Sequence, residues 1–73
     1  MPLKPLSHKE VRRKLEAFGF VECGRKGSHI KFMKSTGGVI YTAIVPEHKE
    51  IAIGTLRSII RQAGMAVEEF MDK

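Results

Sequence analysis

The sequence predicts an α+β domain of two layers, with helices packed on one face of a three-stranded antiparallel sheet. Three observations carry that prediction. Apolar residues recur at helical spacing near both ends of the chain, at Val11, Leu15 and Phe18 and again at Leu56, Ile59, Ile60 and Ala63. Between these segments the pattern changes to alternation among β-branched and aromatic residues, interrupted by glycine-containing turn signals. The strand patterns follow one another without intervening helices, which argues for hairpin connections and an antiparallel meander rather than a parallel α/β sheet.

Each element has a local cause. Ser7-His8-Lys9-Glu10 fits a capping box: the Ser7 hydroxyl would accept the Glu10 amide while the Glu10 carboxylate reaches back to the Ser7 amide. Leu6 and Val11 stand where a hydrophobic staple would close, Lys9, Arg12, Arg13 and Glu16 fall on the wet face, and Gly19 provides a left-handed stop. Residues 20–23 are β-prone and end at Gly24, so they predict a first short strand followed by a basic turn. A second strand over about residues 28–34 would place Ile30 and Phe32 on one face and His29, Lys31 and Met33 on the other. Residues 35–38 read as a turn. Residues 39–45 are β-branched enough to be the central strand of the meander, stopped by Pro46. After a polar loop over 47–50, a second helix starts near Gly54-Thr55 and ends at Gly64, with Arg57 and Arg61 on its wet side. A last turn or two over 67–71 returns Phe70 to the core. The uncovered face of the sheet is then the one that carries His29.

Composition narrows the function. Seventy-three residues make a single domain, 1–73, and a chain of this length buries only about 60% of the surface its unfolded form exposes. Its core is therefore small, and a partner or a weak homodimer would add to its stability. The formal net charge of +5 favours polyanionic partners, nucleic acid first and an acidic protein or anionic surface second. No apolar run approaches the roughly 20 residues needed to cross a bilayer, and the opening Met-Pro-Leu-Lys-Pro-Leu lacks the apolar stretch of a signal peptide, so the expected location is cytoplasmic, with no membrane partner. One cysteine, Cys23, excludes an internal disulfide; it is expected to be a small, partly buried strand residue without chemistry.

The stretch richest in chemistry is Gly24-Arg25-Lys26-Gly27-Ser28-His29-Ile30-Lys31-Phe32. Two glycines around two cations suggest a turn whose backbone can approach a phosphate, and an imidazole directly behind it suits proton transfer near neutral pH. Cleavage of RNA by internal attack needs a base for the 2′-hydroxyl proton, an acid for the leaving oxygen and positive charge on the phosphate. A histidine, with an ordinary pKa of about 6.5, can do either of the first two tasks. Arg25, Lys26 and Lys31 are near enough in sequence for the third. The plain alternative for His29 is a solvated residue at the start of a strand. His48, in Pro46-Glu47-His48, has two open readings: a hydrogen bond that holds the turn before the second helix, or an auxiliary role in proton transfer. His8 reads as a surface residue. The three histidines fall on different elements without a ligand-spacing signature, so no metal site and no cofactor are expected.

In element order the chain resembles the double-stranded RNA-binding domain, which reads the shape, phosphates and 2′-hydroxyls of A-form RNA. A more specific likeness lies in "GFVECGRKGSHIKF", "VPEH" and "GTLRSIIRQAGMAVEEF", which in this order resemble the HicA-type toxins of bacterial type II toxin-antitoxin systems over residues 7–71. Their sharpest pieces are Gly27-Ser28-His29 and the run from Gly54 to Ile60. The resemblance implies a small endoribonuclease, an mRNA interferase, whose catalytic histidine is His29 and which is neutralised by a HicB-type antitoxin; the basic turn beside that histidine then makes Arg25, Lys26, Gly27, Ser28 and Lys31 the expected RNA-binding residues. Many members carry Ser or Thr where this chain has Ala66, a natural cap for the last helix. The competing expectations are a non-catalytic RNA-binding module and a scaffold that docks an acidic protein.

Overall fold

The computed structural model describes residues 3–72. Its element order is α1 (His8–Ala17), β1 (Val21–Lys26), β2 (His29–Thr36), β3 (Val39–Pro46), α2 (Ile53–Gln62) and α3 (Val67–Met71). The strands form one antiparallel sheet in the order β1-β2-β3. This is the predicted two-layer α+β arrangement, like that of a double-stranded RNA-binding domain, with one change: β2, not the β-branched β3, is central. Both connections are tight two-residue hairpins, so the middle strand in sequence is also the middle strand in space.

The hairpin tips explain the register. Gly27 has φ of 59° and no non-glycine among the described residues, Ser28 included, has positive φ, so Gly27-Ser28 has the sign pattern of a type II′ turn and pairs Lys26 with His29. Gly37 and Gly38, at 57° and 79°, turn β2 into β3 as a type I′ pair would, opposing Thr36 and Val39. Between these closures Ile30 faces Val45 and Phe32 faces Ala43, all four buried.

Strand β1 is longer than the sequence suggests. Its pairing with β2 shifts between Glu22 and Gly24, leaving Cys23 as the extra residue of a bulge, and the strand then continues to Lys26. Gly24 therefore lies within the bulged strand, and the expected four-residue basic turn contracts to Gly27-Ser28. Cys23 is exposed rather than partly buried, because the bulge takes it out of the inward alternation.

The helices cover the Ile30/Phe32 face. The Ser7 hydroxyl accepts the Glu10 amide at 3.2 Å, as a cap should, while the Glu10 carboxylate is taken by Arg13. At its other end α1 closes with Gly19 N–H to Glu16 O at 3.0 Å and Phe20 N–H to Leu15 O at 3.0 Å, the paired bonds of a Schellman stop. The same device ends α2, where Gly64 donates to Arg61 O and Met65 to Ile60 O. Helix α2 begins at Ile53 behind Ala52, which has no side-chain cap, one residue before the expected Gly54-Thr55 start. Val11, Leu15, Phe32, Ile51, Leu56 and Phe70 are fully buried and knit the layers together. Lys14 is also buried: its stem lies in the α1 stripe and its ammonium sits 5.8 Å from the centre of the Phe70 ring.

The other sheet face has no helix on it. Val21 and Ile40 are 63% and 64% exposed there, and Ile44 is partly open. No helix is long and apolar enough to cross a membrane among the described residues.

Candidate functional site

His29 opens β2 at the corner of this bare face. It is the exposed first residue of a strand whose next residue, Ile30, is buried, so alternation turns the imidazole away from the core. Across the sheet it is opposed by Lys26 on one side and Pro46 on the other. Directly opposed residues hold their Cβ atoms about 5 Å apart, and the next same-face residue along a strand lies about 7 Å away. Lys26 and Lys31 therefore flank His29 on one surface, with Lys31 opposed by Gly24 and Ile44. The absence of a side chain at Gly24 leaves the β1 side of Lys31 open; a Cβ there would meet nothing within 4 Å.

Arg25 lies apart from this group. Its register partner is Ile30, so it points toward the helical layer, and its guanidinium makes a two-pronged pair with Glu47, Nη1 to Oε1 at 2.7 Å and Nη2 to Oε2 at 3.1 Å. The hydrogen bonds and charge of Arg25 hold the Glu47 carboxyl below its ordinary range, with His8 and Arg12 adding in the same sense. The backbone of Glu47 is also engaged: its N–H donates to Ser28 O at 2.7 Å. Glu47 carries no local signal of such a role in the sequence, where it reads as part of a polar loop. Counting back from the Gly37-Gly38 tip puts Pro46 opposite His29 and so residue 47 beside the Gly-Ser-His turn.

Further carboxylates on the helical side are likewise matched. Arg12 bonds Glu16 at 3.2 Å and reaches Glu22 on β1 at 3.0 Å, while Arg13 holds Glu10. Among the described residues no carboxylate forms an ion pair with Lys26 or Lys31. The charge is therefore sorted by layer, arginine-carboxylate pairs around α1 and unneutralised lysines around His29. Such a surface attracts anions.

His48 has an exposed side chain and a busy backbone. Its N–H donates to Pro46 O at 2.9 Å and its carbonyl accepts His8 N–H, at the start of α1, at 3.1 Å. Both bonds are made by the main chain, and the second ties the loop to α1. Gly27 and Ser28 are both exposed at the hairpin tip, where an approaching phosphate would find backbone rather than bulky side chains. Among the described residues no three His, Cys, Asp or Glu side chains gather where they could hold a metal ion.

The sequence model described as the HicA toxin of bacterial toxin-antitoxin systems matches residues 8–65, a span that includes α1, the whole sheet and α2. No curated protein is matched by the sequence. With the match covering most of the chain, including the Gly27-Ser28-His29 corner, this protein belongs to the HicA toxin family of bacterial toxin-antitoxin systems.

Proposed function

We propose that this toxin is an endoribonuclease that cleaves mRNA without a metal cofactor, acts in the cytoplasm, and is silenced by a HicB-type antitoxin. The observation that carries the reading is the His29 corner: an outward imidazole on an uncovered sheet face, flanked by two lysines that no carboxylate neutralises among the described residues. Lys26 and Lys31 bind and stabilise the scissile phosphate, and Gly27 and Ser28 let the RNA backbone come close. His29 transfers the proton. The substrate's 2′-hydroxyl gives up its proton as the 2′-oxygen bonds to phosphorus; the bond from phosphorus to the 5′-oxygen breaks, and that oxygen is protonated as it leaves. His48, two residues beyond the strand partner of His29, is the auxiliary candidate for the second transfer. In this reading Arg25, whose guanidinium bonds Glu47, does not serve as an RNA contact.

The antitoxin fits the same face. Val21, Ile40 and Ile44 expose apolar surface beside the lysines, and an acidic partner with an apolar centre would cover both and exclude RNA. The test is single-turnover cleavage of an mRNA by the purified protein, with His29→Ala beside it. Cleavage by the parent alone supports the reading. An RNA that binds with a normal salt slope and is never cut would leave a non-catalytic RNA-binding module in its place.

A further inference from the structure

We propose that Arg25 and Glu47 are positioning residues that hold the Gly27-Ser28-His29 corner in its working geometry, rather than a phosphate ligand and a bystander carboxylate. The inference rests on the endoribonuclease reading above and adds to it a device 22 residues apart in sequence.

The β1–β2 hairpin is anchored at its tip from two directions. Along the sheet, Lys26 and Pro46 oppose His29. From the loop beyond β3, Glu47 reaches the hairpin twice: its backbone N–H holds Ser28 O at 2.7 Å, and its carboxylate forks onto Arg25 at 2.7 and 3.1 Å. Ser28 directly precedes the histidine and Arg25 lies one residue before the strand partner of that histidine. The two contacts therefore bracket the turn that aims His29. A two-residue hairpin at a sheet corner has few other neighbours to fix its tilt, and a planar guanidinium held at both terminal nitrogens fixes direction as well as distance. The loop carrying Glu47 is itself held, because the His48 carbonyl accepts the first amide of α1 at 3.1 Å. The chain of restraint thus runs from α1 through the 47–48 loop to the corner. Arg25 faces the helical layer, so an RNA on the open face meets Lys26 and Lys31 first.

The experiment compares Arg25→Ala, Glu47→Ala, the exchanged pair Arg25→Glu with Glu47→Arg, and Lys26→Ala, using a short single-stranded RNA that the parent cleaves. A positioning role predicts that each single change at 25 or 47 lowers kcat about tenfold, as small misplacements of a reacting group do, with KM nearly constant. The exchanged pair recovers most of kcat. The slope of log Kd against log salt stays unchanged at Arg25→Ala and falls by about 0.7 at Lys26→Ala, the single-strand value for one phosphate contact. Amide hydrogen exchange gives a readout independent of activity: the Glu47 N–H, bonded to Ser28, exchanges faster in Arg25→Ala while Phe32 and Ala43 at the sheet centre keep their protection. A drop in the salt slope at Arg25→Ala, tighter RNA binding by Glu47→Ala with kcat unchanged, or an unaltered Glu47 amide would each overturn the proposal. If the parent cleaves no RNA, the endoribonuclease reading fails by itself, and the exchange data still decide whether the pair fixes the corner.

Discussion

Gly64 lies directly under the ring of Tyr41. A Cβ at position 64 would stand 2.7 Å from Cδ1 and 3.0 Å from Cζ, and Gly64 has φ of 73°. One atom's absence thus serves two purposes: it ends α2 with the left-handed residue of a Schellman stop, and it lets the half-buried Tyr41 of β3 close against the end of that helix. Gly64→Ala meets both obstacles. The left-handed backbone costs about 1–2 kcal/mol and displacing the ring about 1–3 more, so the variant should lose roughly 2–5 kcal/mol in chemical denaturation. A loss of only about 1–2 kcal/mol would show that Tyr41 swings aside freely and that the backbone strain acts alone.

Helix α3 invites the opposite change. Ala66 is its N-cap; the Glu69 carboxylate accepts the Ala66 amide at 3.3 Å, but alanine has no oxygen to return the bond. Ala66→Ser completes the reciprocal pair. The expected gain is about 1 kcal/mol, or a rise in Tm of about 4–8 °C for a domain this small, with RNA cleavage unaltered because the helix is remote from the His29 corner in sequence and layer. Differential scanning calorimetry measures it.

Stability should also respond to acid in a defined direction. The Glu47 and Glu10 carboxyls are both held below the ordinary value of 4.5, chiefly by hydrogen bonds from Arg25 and Arg13. A carboxyl whose folded pKa is depressed contributes stability that is present above its unfolded pKa and fades as pH falls through the folded one. Both pairs are exposed, so the effect is small. Thermal melts from pH 6 to pH 3 should show the double variant Glu10→Gln, Glu47→Gln losing less Tm than the parent over the acid limb. Parallel curves would mean that neither pair contributes to folding.

Much of this architecture could be read from local signals because local signals cause it. Ser7 caps α1, Gly19 and Gly64 end their helices, and the glycine pair at 37–38 turns the second hairpin, each by chemistry within a few residues. The rest depended on partners far along the chain. The period of β1 is broken at its bulge, so the strand seemed to stop at residue 23 and Arg25 seemed to belong to a basic turn. Only the register with β2, together with the return of β3, shows that Arg25 and Lys26 face opposite ways and that Glu47 occupies the first of them. Lys14 was hidden for a related reason: a charged residue reads as solvated until Phe70, over fifty positions later, brings its ring to the ammonium. His29 and its lysines were the more legible part, since alternation within one unbroken strand sets the face of His29 and Lys31.

The His29 side chain is solvent-exposed and no core contact depends on it. Its replacement by alanine should therefore leave stability within about 0.5 kcal/mol of the parent while removing RNA cleavage and growth inhibition together. Equal cleavage by the folded variant would remove His29 from the mechanism and move attention to His48, whose own Ala variant belongs in the same assay.

The chemistry leaves its signature on the cut ends. If the 2′-oxygen is the nucleophile, the upstream fragment ends in a 2′,3′-cyclic phosphate, or in the 3′-phosphate formed when that ring opens, and the downstream fragment begins with a free 5′-hydroxyl. A water molecule activated by a metal typically leaves the phosphate on the 5′ side instead. The proposed mechanism takes the first course, since the corner brings the His29 imidazole together with the cationic side chains of Lys26 and Lys31. DNA of the same sequence has no 2′-hydroxyl and should bind through Lys26 and Lys31 without being cut. Activity should persist in excess EDTA, and a 2′-deoxy substitution at the scissile nucleotide alone should stop cleavage there while leaving affinity nearly unchanged. Mass spectrometry of the two fragments reads the result directly: a 5′-phosphate terminus, or cleavage that returns only with added Mg²⁺ or Mn²⁺, would replace the substrate's own oxygen with a metal-bound water and leave the imidazole of His29 a different task.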